Sequence, residues 1–172
     1  MESPSAKGAR SEAEILAALV AAGKTVLLPW GGHHRYDFVL DEGGGRFIRV
    51  QCKTGVLRHG ALCFRTASAD RRRPMGDPYV GQVDAFAVYS PELDESFLIP
   101  IQDLRARQVA ALRVRAPASS QKAGIRWAEP YALRHNGTIT SAERKTRFEL
   151  ATLALARRCA TAAPLPLDEQ PQ

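Results

Sequence analysis

Ile15, Leu16 and Leu19 recur along residues 11–22 at helical spacing, and the pattern predicts an α-helix from Ser11 to Ala22. Gly23 follows, where a left-handed C-terminal stop belongs. Residues 1–8 are small and polar and are expected to form a flexible start. The period then changes from helical to alternating. Thr25 to Leu28 reads as a short strand closed by Pro29. Arg35 to Leu40 and Phe47 to Lys53 read as two antiparallel strands joined across Gly43, Gly44 and Gly45. Ala61 to Thr66, Ala85 to Tyr89, Phe97 to Ile99 and Ala111 to Arg115 complete the strand candidates in meander order. Residues 116–139 look irregular. Thr140-Ser141-Ala142-Glu143 has the form of a capping box and opens a second helix running to about Cys159. The Pro-rich tail beyond is expected to be flexible. A helix, several strands and a late helix indicate a mixed α/β domain.

The central strand pair carries the chemistry. Successive strand side chains point to opposite faces. Phe38, Leu40, Ile48, Val50 and Cys52 therefore share a buried face, and Asp37, Gln51 and Lys53 share the other. A carboxylate, an amide and an ammonium are gathered into one patch that can hold a metal ion beside a phosphate. Glu12 lies on the inward face of the first helix, where a carboxylate needs a partner or a metal. Its plainer role is to complement the helix dipole from the first turn. A surface Asp–Lys pair on a solvated sheet is likewise the plain reading of Asp37 and Lys53, and it is worth little.

Composition narrows the class. The 172 residues are 45% hydrophobic and 24% charged, as in an ordinary soluble domain. One domain is expected over residues 9–160, with a core part 9–102, a basic part 103–160 and a tail 161–172. Three scattered cysteines, Cys52, Cys63 and Cys159, make neither a disulfide framework nor a zinc site. The longest apolar run is too short to span a membrane. A reducing, cytoplasmic setting follows.

The net charge of +6 is uneven: residues 1–102 hold twelve basic and twelve acidic side chains, and residues 103–158 hold twelve and four. A neutral half bearing the candidate site, followed by a basic half, suits a polyanion. Arg71-Arg72-Arg73 lies in a Pro- and Gly-bearing loop, where such a run is usually only solvated; beside a nuclease site it could grip a backbone. Lys122 and Arg126, interleaved with Trp127 and Tyr131, suit the same contact; a loop packed by Trp127 is the plainer account. Arg35 joins Arg72, Lys122 and Arg126 as a nucleic-acid-binding candidate. His33 and His34 are read as loop residues near the site, at best touching phosphate.

Phosphodiester hydrolysis needs a divalent cation, oxygen ligands to hold it, and a further cationic or basic group at the reacting water. Asp37, the Gln51 amide oxygen, the Cys52 backbone carbonyl and Glu12 offer the ligands, and Lys53 offers the cation. This ordered set resembles the PD-(D/E)XK nuclease superfamily, through Glu12 in an amino-terminal helix, Tyr36-Asp37 and Val50-Gln51-Cys52-Lys53. It is most similar to the bacterial group I intron homing endonuclease branch, in which Gln replaces the second acidic residue. Tyr79-x-Gly81-x-x-Asp84-x-Phe86-x-x-Tyr89, with Phe97-Leu98-Ile99-Pro100 after it, also resembles that branch.

The resemblance implies a restriction-endonuclease-like central mixed sheet flanked by helices. Glu12, Asp37, Gln51 and Lys53 would be the catalytic set, Mg²⁺ the cofactor and double-stranded DNA the substrate. A homo-oligomer, dimer or tetramer, is implied as well. Gln51 departs from the wider superfamily and removes one negative charge from the metal site. The same core also serves Holliday-junction resolvases and restriction-type nucleases, and a catalytically inactive DNA-binding relative is a further alternative. A small-ligand or scaffold protein with incidental basic charge is the reading from outside nucleic-acid chemistry.

Overall fold

The computed structural model describes residues 3–32, 34–68, 76–104, 108–116 and 124–134. Helix α1 (Pro4–Ala21) is followed by strands β1 (Thr25–Leu27), β2 (Phe38–Asp41), β3 (Phe47–Thr54), β4 (Val56–Arg58), β5 (Ala61–Arg65), β6 (Ala85–Ser90), β7 (Glu95–Pro100) and β8 (Val109–Arg113). The late helix expected over 140–159 lies outside the described residues.

The helix begins at Pro4 rather than Ser11. The Ser3 hydroxyl accepts from the Ala6 N–H, and Pro4 sits in the first turn, where its missing donor costs nothing. At the other end Gly23 takes φ +75. The N–H groups of Ala22, Gly23 and Lys24 close onto the carbonyls of Ala18, Val20 and Leu19. The stop falls where the glycine predicted it.

Strands β2 and β3 form the expected antiparallel pair, with Phe38 opposite Val50 and Leu40 opposite Ile48. All three loop glycines have positive φ, at +80, +61 and +80, a conformation costly for any residue with a Cβ. The meander expectation fails at β3. Its next neighbour in the sheet is β6, paired in parallel, so the five-stranded sheet runs β1-β2-β3-β6-β7. The intervening chain leaves to form a second sheet, β4-β5-β8. A parallel partner requires a long crossover, and this hairpin supplies part of it. Strand β4 is too short for its alternation to register in the sequence.

Two apolar clusters result, one on each face of the main sheet. Ile15, Leu16 and Leu19 of α1 meet Phe38, Leu40, Val50, Ala85 and Ala87 on one side. On the other, Leu62, Phe64, Ala110 and Leu112 of the second sheet meet Phe86, Val88, Phe97 and Ile99. Strand β6 is buried along its whole length, as expected of a strand covered on both faces.

Gly55 makes the stacking of the two sheets possible. A Cβ there would come within 2.4 Å of the Leu62 side chain and 3.0 Å of Val88. Leu62 is fully buried and has no room to yield. The entry into β6 is tied to β3 by a second device. The Asp84 carboxylate accepts from the Arg49 backbone N–H at 2.8 Å and from both arms of its guanidinium at 2.9 and 3.0 Å. The Asp84 N–H returns a bond to the Arg49 carbonyl. The guanidinium hydrogen bonds hold the Asp84 carboxyl below its ordinary range.

Two stability predictions follow from these contacts. Gly55→Ala should cost about 1–3 kcal/mol through overpacking, read as a lower midpoint in urea. Asp84→Asn should cost about 1 kcal/mol at neutral pH, the value of a partly exposed charged hydrogen-bond set. Because the folded carboxyl is shifted down, its contribution is present above the unfolded value of about 3.9 and disappears as pH falls through the lower folded one. The wild-type and Asp84→Asn unfolding midpoints should therefore converge in acid.

Candidate active site

Asp37 precedes β2, and its N–H donates to the Val50 carbonyl at 2.8 Å. That bond lies one residue out of the β2–β3 register, in which Val50 pairs with Phe38. The Asp37 carboxylate accepts from the Cys52 backbone N–H at 2.7 Å and from the Gln51 amide nitrogen. The same amide nitrogen lies 3.3 Å from the Cys52 carbonyl oxygen. Both neighbours of that atom are acceptors, which makes it the NH₂ group.

The odd positions of β3 face the side on which Phe86 and Val88 project, since Gln51 pairs with Phe86 and Lys53 with Val88. Lys53 extends along this face, and its ammonium donates to the Tyr79 hydroxyl at 3.1 Å. The same nitrogen lies 4.6 Å from the centre of the Tyr79 ring. Arg35 stacks over that ring at 4.3 Å. Its guanidinium is held by the Gln82 side chain at 2.5 Å and the Asp77 carbonyl at 3.2 Å. One acid, one amide and two cations therefore share a small, half-buried surface beside the second sheet.

Glu12 comes from the other direction. Helix α1 packs on the face that carries Val50 and Cys52, and the Ser11 and Thr54 hydroxyls meet across it at 2.6 Å. The Cys52 thiol is pushed well up by burial first, then by the charges of Asp37 and Glu12, with Lys53 opposing. Glu12 is half-buried on α1, which covers the face of β3 opposite Gln51 and Lys53. Among the described residues, no three His, Cys, Asp or Glu side chains form a metal cage. With Gln51 in place of an acid, the available donors are carboxylate, amide and backbone carbonyl oxygens. Such a set fits a hard cation such as Mg²⁺ rather than a soft one.

The other candidates separate by position. Arg35 belongs to the site, on the evidence of its stacking. Arg126 is half-buried, and its carbonyl accepts from the Arg113 N–H at 2.7 Å, which places it beside β8. Arg72, Lys122 and His33 lie outside the described residues. His34 is exposed and bonded to the Trp30 carbonyl. Tyr79 is the site residue to which sequence reasoning gave no role. In the sequence it stands only as the first residue of the Tyr79-x-Gly81-x-x-Asp84 pattern, and nothing there indicates Lys53 as its partner.

Comparison with known proteins bears on the fold and the family. The solved structure of a bacterial homing endonuclease, I-Ssp6803I, aligns over 94% of this chain and 100% of its own, with a TM-score of 0.52 and 21% identity. At that identity the likeness speaks for the fold. No curated protein matches the sequence. The sequence profile of the PD-(D/E)XK endonucleases matches residues 2–134, a span that includes α1, both sheets and every described residue of the site, and the chain belongs to the PD-(D/E)XK endonuclease family.

Proposed function

We propose that the protein is a Mg²⁺-dependent endonuclease acting on double-stranded DNA, of the homing-endonuclease type. The observation that carries this reading is the convergence of the Asp37 carboxylate, the Gln51 amide and the Cys52 carbonyl, with the Lys53 ammonium on the same face. Asp37, Gln51 and the Cys52 carbonyl would hold the cation, with Glu12 adding a second carboxylate from α1. The bound ion would supply charge neutralisation at the phosphate and a more acidic water.

The remaining work falls to the protein. Gln51 donates its NH₂ to Asp37 and so keeps the carboxylate aimed into the site. Presenting its oxygen instead requires rotation about its terminal torsion, which is soft. Lys53 positions the attacking water and offsets the charge developing on the phosphoryl oxygens. Arg35, held on Tyr79, offers a planar donor fork suited to a neighbouring phosphate. Cutting both strands of a duplex calls for two such sites, which a homo-oligomer provides. Among the described residues no helix is long and apolar enough to cross a membrane.

Incubation with supercoiled plasmid and Mg²⁺ should produce nicked and linear DNA, and a chelator should stop it. Lys53→Ala and Asp37→Ala should each lower the cleavage rate by at least about 100-fold while leaving the thermal midpoint and most DNA affinity in place. Cleavage at the wild-type rate in either variant removes the assignment. Gln51→Glu should retain some cleavage. Its second carboxylate lies against Asp37, so the variant should bind Mg²⁺ more tightly in a calorimetric titration.

A further inference from the structure

The geometry points to Tyr79 as a positioning residue for Lys53: its hydroxyl, fixed by a buried ring, sets where the ammonium stands. This rests on the nuclease reading of Lys53 and adds to it a residue outside the metal-binding set.

Two contacts immobilise the ring, and a third fixes its backbone. Tyr79 is only 6% exposed and meets Phe86 edge-on, with centroids 5.6 Å apart and planes at 89°. The Arg35 guanidinium covers it at 4.3 Å. Its own carbonyl accepts from the N–H groups of Gln82 and Val83, at 2.9 and 3.2 Å, which locks the backbone into the turn leading to β6. A phenylalanine would fill the same space. The hydroxyl is therefore surplus to packing, and it lies 3.1 Å from the Lys53 ammonium.

A lysine amine is a strongly hydrated point charge on a flexible four-carbon stem. Left to itself it samples many rotamers, and each turnover would have to gather it into place. An acceptor fixed by the core removes that search, because catalytic groups act best when held near their working geometry beforehand. The phenol oxygen takes one of the three ammonium hydrogens. Two remain for the water or the phosphate. The aromatic ring adds a weaker attraction to the same charge.

Tyr79→Phe tests the hydroxyl with the ring retained. In the metal-free protein, the ¹⁵N-ammonium signal of Lys53, identified by its loss in Lys53→Arg, should exchange its protons with water faster in Tyr79→Phe. With Mg²⁺ and DNA, the single-turnover cleavage rate should fall about tenfold, the worth of one charge-assisted hydrogen bond. DNA affinity and thermal midpoint should stay at wild-type values. Unchanged ammonium exchange, or a lowered thermal midpoint with unchanged cleavage per folded molecule, overturns the inference. If Tyr79→Phe frees the ammonium while the wild-type protein cuts no DNA, the anchoring contact is supported and the nuclease reading alone falls.

Discussion

The parallel pairing of β3 with β6 governs this structure. It sets Val50 and Cys52 against the Ala85 and Ala87 side, under α1, and sets Gln51 and Lys53 against the Phe86 and Val88 side. A register slip of one residue would exchange those faces. The core would then receive an amide and an ammonium, and the site would receive a valine and a thiol. The Arg49–Asp84 clasp at the start of this pairing excludes that slip, since it joins backbone and side chain of both strands at one level.

The charge arrangement around the site follows from the same alternation. Asp37 accepts from a backbone N–H and a side-chain amide. Lys53 and Arg35 are instead held by a phenol, an aromatic face, a side-chain amide and a carbonyl. These cations are fixed by neutral groups, so their charge remains available to an anion. A site that spent them on salt bridges would have less to offer a phosphate.

Much of this was legible in the sequence because it depends on period-two alternation. Phe38, Leu40 and Val50 against Asp37, Gln51 and Lys53 define the two faces without any coordinates, and the glycine run fixes the hairpin. The neighbour of β3 was not legible. Strand pairing across a crossover is decided by tertiary packing, and the apolar run of β6 fits a meander as well as a parallel core strand. The early start of α1 was missed because Ser3 and Pro4 cap a stretch with no apolar stripe of its own. Tyr79 escaped for a related reason: its partner is 26 residues away in sequence, and the contact arises only once β6 lies beside β3.

Gly55 follows Lys53 by two residues, and its N–H is bonded to the Tyr89 carbonyl at 2.7 Å. The chain turns there from one sheet into the other with no side chain to cushion the corner. The seating of the β4-β5-β8 layer and the end of the strand that carries Lys53 therefore share one close contact, with Leu62 and Val88 against the bare Cα.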